Sequence, residues 1–258
     1  EPTSKYDATK NFCYAISPKN IMSVIGIIPA RYGSSRFPGK PLADILGRSM
    51  IQRVHEQCKK ASSLNEVIVA TDDERIFNHV LGFGGKVIMT SSSHPSGTDR
   101  CNEVIQKLEE QYDIAINIQG DEPYINPEQI DQVATLFSSA EVSIATIAKK
   151  IEDKNIITDI NIPKAIFDAN GIAINFCREI ENPIAEKEYF KHIGIYGYRT
   201  KTLAEICKLA PSKNEIKERL EQLRWLDNNY IIKVGITTHE GISVDTPEDI
   251  EKIKAQMR

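Results

Sequence analysis

Three cations, Arg31, Arg36 and Lys40, stand close together in a run that also holds Gly33, Ser34, Ser35 and Gly39. An apolar stretch (Val24, Ile25, Ile27, Ile28) leads into them and stops at Pro29. A buried strand that ends in small residues and cations is how an α/β protein cradles phosphate. Glycines let backbone N–H groups approach the anion, and the cations neutralise it. The Walker pattern G-x-x-x-x-G-K-[ST] does not fit. Gly33 to Gly39 is one residue too long, and Pro41 stands where a metal-binding hydroxyl belongs. The dinucleotide fingerprint G-x-G-x-x-G is absent as well. Any divalent metal must therefore find its carboxylates elsewhere.

Two carboxylates meet that need. Asp121 follows an apolar run and lies between Gly120 and Pro123, which make a rigid turn. Asp245 follows Val244 and precedes Thr246-Pro247, a helix start that Asp245 could also simply support. Magnesium on a triphosphate takes oxygen ligands, with only one or two from protein, so Asp121 and Asp245 suit Mg²⁺.

The elements that must position these residues alternate. Strands are expected at 24–29, 66–71, 86–89, 113–118 and 142–147. Helices are expected at 49–60, from an Asp72-Asp73 cap through Leu81, within 96–108, and at 127–137. Short apolar strands between amphipathic helices predict an α/β fold: a Rossmann-like, mostly parallel sheet flanked by helices. Ligands of such sheets bind beyond the carboxyl ends of the strands. Residues 31–40, Thr71-Asp72, 96–100 and 119–121 all begin at such ends and are expected to share one cleft. After about Lys150 the rhythm changes. A hairpin is expected around Asp168 to Gly171, then helices at 200–208 and 214–228, a strand at 231–236 and a helix at 247–256 capped by Thr246. Residues 150–213 read as an inserted subdomain that covers the cleft and pairs two chains. Residues 23–258 form one domain, and 1–22 read as an extension without chemistry, Met22 being a possible start.

Composition excludes several classes. The 258 residues carry a net charge of −4, with no basic run and no basic patch interleaved with aromatics, so a nucleic-acid partner is not expected. No apolar window approaches the roughly 18 residues of a membrane span. The five cysteines (Cys13, Cys58, Cys101, Cys177, Cys207) lie far apart, which suits buried thiols in a reducing cytoplasm better than disulfides or a metal site.

The loop at 25–42 resembles the signature loop of the nucleotide-sugar cytidylyltransferases. The likeness returns at NIQGDEP (117–123), HIGIYGYR (192–199), LEQLR (220–224) and VDTPED (244–249), in the family's order. It is strongest to the branch whose acceptor is 3-deoxy-manno-octulosonate (Kdo), a 2-keto acid sugar. The resemblance implies that Arg31, Ser34, Arg36 and Lys40 hold the triphosphate of CTP. Thr71, Asp72, Ser96, Gly97, Thr98 and Arg100 would form the nucleotide pocket, and Asp121 and Asp245 would bind Mg²⁺. Gln119, Lys164, Arg178, His192, Tyr196, Glu221 and Gln222 would receive the sugar, with His192 binding it rather than moving a proton. CMP transfer to Kdo for lipopolysaccharide biosynthesis, by a cytoplasmic homodimer, is the implied activity. Other acceptors stay open: an amino-Kdo, a sialic-type nonulosonate or a sugar 1-phosphate. So does an inactive nucleotide-sugar-binding protein. The family's segment after the pocket arginine is shortened at 179–191, Cys177 replaces a usual serine, and Asp99 stands for a frequent Glu.

Overall fold

The computed structural model describes residues 22–33, 36–184 and 186–256. Ser34 and residues 1–21 lie outside these, so neither the Ser34 reading nor the reading of the extension is addressed by the structure. The strands are β1 (Val24–Ala30), β2 (Glu66–Thr71), β3 (Lys86–Met89), β4 (Ile114–Asn117), β5 (Ile144–Lys150), β6 (Lys164–Phe167), β7 (Ala173–Cys177), β8 (Phe190–Arg199) and β9 (Ile232–Thr237). Seven of them form the sheet path β9-β5-β8-β4-β1-β2-β3, and β6 and β7 hang from β8 as a hairpin. Every neighbouring pair on the path is parallel except those of β8, which runs antiparallel to both β4 and β5.

Helices α1 (Met50–Cys58), α2 (Glu74–Gly82), α3 (Gly97–Lys107) and α4 (Pro127–Thr135) cover the sheet. Each starts on a side-chain cap, from Ser49, Asp73, Ser96 and Asn126 respectively, which satisfies otherwise unpaired N–H groups. They bury alternate faces of β1, β2 and β4, whose residues form two apolar clusters on opposite sides of the sheet. The chain continues with α5 (Lys154–Thr158), α6 (Thr200–Ile206), α7 (Lys213–Glu218), α8 (Gln222–Asp227) and α9 (Pro247–Gln256). Val244, Ile250 and Ile253 close a third cluster with Ile45 and Met50, which fixes the chain around Asp245 against the phosphate-loop side.

Four expectations are corrected here. The helix expected over 214–228 is two helices, because Arg219 takes a left-handed conformation (φ 55°) and breaks the run. The strand expected at 142–147 runs from Ile144 to Lys150. β8 is not part of an appendage: it lies inside the main sheet, leaving α5 and the β6–β7 hairpin as the added part. Thr246 also does not act as a simple acceptor cap. Its N–H and hydroxyl both donate to Asp249, which reaches back from the first turn of α9.

Candidate active site

A cleft of about 300 Å³ opens at the carboxyl ends of β1 and β4. Arg31, Arg36 and Lys40 line one side, Ser96, Gly97 and Arg100 another, and Gln119, Asp121 and Asp245 the floor and rim. Residues far apart in sequence thus meet where parallel strands end, as expected from the strand-end positions of their motifs.

The phosphate loop is closed on itself. Gly39 N–H donates to the Tyr32 carbonyl at 2.9 Å, and Gly39 has φ +73°, a backbone state that L side chains rarely adopt. The turn hands the chain to Lys40, whose ammonium points inward. It donates to Asp121 Oδ2 at 2.8 Å and to the Val244 carbonyl at 2.8 Å, and lies 3.9 Å from Asp245 Oδ1. Arg36 Nη2 donates to the same Asp245 oxygen at 2.9 Å. The Val244 N–H donates to the Asp121 carbonyl, so the two aspartate-bearing loops are joined by backbone as well. The floor is equally tight. A Cβ on Gly120 would stand 2.6 Å from the Pro29 carbonyl oxygen, so only glycine lets the loop after β4 lie against the end of β1. Beside Asp121, Glu122 is buried, and burial together with the Asp121 charge pushes its carboxyl up to about 7.

Asp121 and Asp245, 2.8 and 3.9 Å from one ammonium, are oxygen donors of the kind a hard cation takes. Among the described residues no group of three or more His, Cys, Asp or Glu could hold a metal. The donor set is therefore two aspartates completed by a ligand, which fits a hard, oxygen-seeking ion carried on a triphosphate.

The remaining predicted residues sit around this cleft rather than in it. Arg100 lines the wall, but its guanidinium is buried and turned away, donating to Asp72 Oδ2 at 2.9 Å and to Thr90 Oγ1. Thr71 is buried, and its carbonyl accepts from the Thr90 N–H and hydroxyl. Thr71, Asp72 and Arg100 form a brace tying the ends of β2 and β3 to α3. Thr98 is buried too, its hydroxyl donating to Glu221.

Behind the cleft, Gln119 donates to the Gly194 carbonyl at 2.7 Å. Gly194 lies where the β8–β5 register slips between Ile193 and Tyr196, a bulge that turns the backbone toward Gln119. Thr146 fills the bulge, donating to the Ile195 carbonyl at 2.7 Å and accepting from His192 Nε2 at 3.0 Å. His192 is buried between Phe176 and Tyr196, and burial drives its pKa down to about 3. Its ring is therefore neutral. Tyr196 and Tyr198 stack on each other and each meets Trp225 edge-to-face, and Gln222 is buried at the head of α8.

Lys164 and Arg178 are not brought together with this group as free cations. Lys164 Nζ donates to the carbonyls of Asp159 and Arg178, and Arg178 Nε donates to the Glu218 carbonyl at 2.8 Å. Both lock the hairpin to its surroundings through part-buried carbonyls that take these donors. Residue-by-residue reading missed His94, which lines the cleft and is held by Glu103, in turn held by the Ser91 N–H and Lys107. Its signal was available: it lies two residues before the Ser96–Arg100 stretch already named.

Comparison with known proteins agrees with this geometry. A family model described as cytidylyltransferase matches residues 25–237. The 3-deoxy-manno-octulosonate cytidylyltransferase of Parabacteroides distasonis is 52% identical over 248 residues, covering 91% of this chain and 98% of its own. That of Cytophaga hutchinsonii is 48% identical, covering 90% and 96%. A solved structure of CMP:2-keto-3-deoxy-manno-octonic acid synthetase complexed with CTP superposes with a TM-score of 0.87 at 40% identity, covering 91% of this chain and 98% of that one. With a cleft of this make-up and relatives this similar along nearly their whole length, the chain belongs to the cytidylyltransferase family, on the branch of the 3-deoxy-manno-octulosonate cytidylyltransferases.

Proposed function

We propose that this protein transfers CMP from CTP to the anomeric hydroxyl of Kdo, releasing pyrophosphate and CMP-Kdo. The observation that carries the reading is the convergence of Lys40, Asp121 and Asp245 at the strand ends, beside Arg31 and Arg36. The anomeric oxygen forms a bond to the α-phosphorus while the bond to the β-phosphate bridging oxygen breaks. The hydroxyl proton passes to solvent, and no covalent protein intermediate is needed.

Arg31 lines the cleft with no hydrogen bond to a described residue, which leaves its guanidinium available for the β- and γ-phosphates. Arg36 and Lys40 neutralise charge that grows on the leaving pyrophosphate, where preorganised cations act most strongly. Mg²⁺ held by Asp121 and Asp245 would acidify the acceptor hydroxyl and screen the phosphate oxygens. Ser96 and Gly97 present the wall against which the nucleotide lies. Gln119 stands between that wall and the chamber of His192, Tyr196, Glu221 and Gln222, where the sugar is placed. Lys164 and Arg178 keep that chamber's rim in place through their carbonyl contacts. Orienting both substrates for in-line attack is the main contribution of this arrangement.

We also infer a homodimer formed through the appendage. Its outer strand β7 pairs only with β6 among the described residues and exposes Ile174, while Ile160 and Ile184 are exposed in the segments flanking the hairpin. The buried thiols Cys58 and Cys101 suit a reducing cytoplasm. No helix among the described residues is long and apolar enough to cross a membrane.

The test is pyrophosphate release from CTP and Mg²⁺ with Kdo, amino-Kdo and N-acetylneuraminate supplied in parallel. Release with Kdo alone is expected. Release only with another sugar would overturn the acceptor, and CTP binding without release from any would point to a binding protein. Light scattering in the same buffer reads the dimer.

A further inference from the structure

Thr98 occupies the first turn of α3, between the cleft-lining Gly97 and the buried Arg100, yet its own side chain leaves the cleft. It is 3% exposed, and its Oγ1 donates to Glu221 Oε2 at 2.6 Å. Glu221 opens α8 just after the left-handed break at Arg219, so its carboxyl is delivered inward while Arg224, one turn on, is occupied by Glu215. Around that carboxyl lie the hydroxyls of Tyr196 and Tyr198 and the side-chain nitrogen of Gln222. All three residues are nine-tenths or more buried; the Tyr198 hydroxyl is shared with Thr98, whereas the Tyr196 hydroxyl and the Gln222 side-chain nitrogen have no hydrogen-bond partner among the described residues. Polar atoms left unpaired in a folded interior require an explanation, and two facing one carboxyl fit a ligand rich in hydroxyls.

We infer that Thr98 is a positioning residue for the acceptor sugar rather than a nucleotide contact: its hydroxyl fixes the rotamer of Glu221 so that the free carboxylate oxygen can accept from a sugar hydroxyl. This rests on the proposed reaction and assigns a residue within it. The same hydrogen bond joins the wall that holds the nucleotide to the helix that heads the sugar chamber. Burial raises the pKa of Glu221, and the Thr98 and Ser96 hydroxyls offset part of that rise, so the bond also favours the charged acceptor form.

The experiment compares Thr98→Val and Thr98→Ser with wild type, measuring KM for Kdo, kcat and the CTP dissociation constant by calorimetry. Losing a donor to a charged group predicts a roughly 10- to 100-fold fall in kcat/KM for Kdo in Thr98→Val, with CTP affinity within about twofold and recovery in Thr98→Ser. Glu221→Gln supplies the second arm. In its background Thr98→Val should have little further effect, since both act through one bond. A loss of CTP affinity with the Kdo parameters unchanged would overturn the assignment. So would a failure of Thr98→Ser to recover, additive effects of the two changes, or no change at all. If Thr98→Val does not fold, the Glu221→Gln split and Thr98→Ser decide. Wild-type turnover of Kdo is the separate control on the proposed reaction itself.

Discussion

On the phosphate side of the cleft the charges stand near water: the Arg36 side chain is 67% exposed and that of Asp245 45%. Behind Gln119, in contrast, His192, Tyr196, Tyr198 and Trp225 are all buried. The first region is held by ion pairs among residues that are to meet the substrate. Lys40 holds together two carboxylates that a metal would otherwise face, and ligand arrival would exchange partners among partly exposed groups. The second is held by aromatic packing and a strand bulge, with polar atoms left unpaired. The difference separates tasks. Exposed, mutually compensated charge suits a polyanion that brings its own cation, whereas a tightly packed, buried polar cluster suits discrimination between neutral hydroxyl patterns.

The comparison can be broken most severely at Lys40. Lys40→Ala should lower kcat about a hundredfold, the usual scale for one preorganised electrostatic group, and a steady-state assay of pyrophosphate release measures it. A change of less than threefold would mean that the lysine only fills the site in the free protein. Next is the brace. Arg100→Ala takes the cation from a partly buried Asp72 and a donor from Thr90, and should cost about 1–3 kcal/mol in urea unfolding. Unchanged stability would show that the brace bears no load and that Arg100 turns into the cleft. Gly120→Ala drives a methyl against the Pro29 carbonyl and should cost about 1–3 kcal/mol, with activity falling further than stability because Asp121 is carried along. A fully active, fully stable variant would refute the close approach of the two loops.

The smallest effect concerns the buried side. The folded pKa of His192 lies below its unfolded value, so the unfolded chain takes up a proton first as pH falls. Its contribution to stability is complete above about pH 6.5 and is lost on acidification toward about pH 3, by at most about 1.4 kcal/mol per pH unit. Glu122 acts oppositely: its raised pKa means stability is lost as pH rises through the range from 4.5 to about 7. Melting temperatures of His192→Gln and wild type between pH 7.5 and 5 separate the two. The gap should move in favour of the variant as pH falls, and a pH-independent gap would place the imidazole in contact with water.

The phosphate side was the more legible in sequence because its signals are local. Pro29, Gly39 and Gly120 mark where strands stop and where backbone must approach backbone, and the cations and carboxylates follow them directly. The acceptor side was legible only as motifs. Nothing in HIGIYGYR says that β8 enters the sheet antiparallel between β4 and β5, since strand order is a long-range property. The break at Arg219 carried no glycine or proline to announce it. The orientation of Thr98 was hidden for a further reason: a threonine at a helix start reads equally as cap, ligand contact or brace, and only the position of Glu221 distinguishes them.

The proposed mechanism requires that Asp121 and Asp245 face a cation site that Lys40 fills until nucleotide arrives. A crystal structure with a non-hydrolysable CTP analogue and Mn²⁺, read by anomalous scattering, puts this to the test. A manganese peak between Asp121 and Asp245 is expected, with Lys40 Nζ moved from the Asp121 carboxylate to a phosphate oxygen. Manganese bound away from both aspartates, with Lys40 still on Asp121 beside an ordered nucleotide, would contradict it.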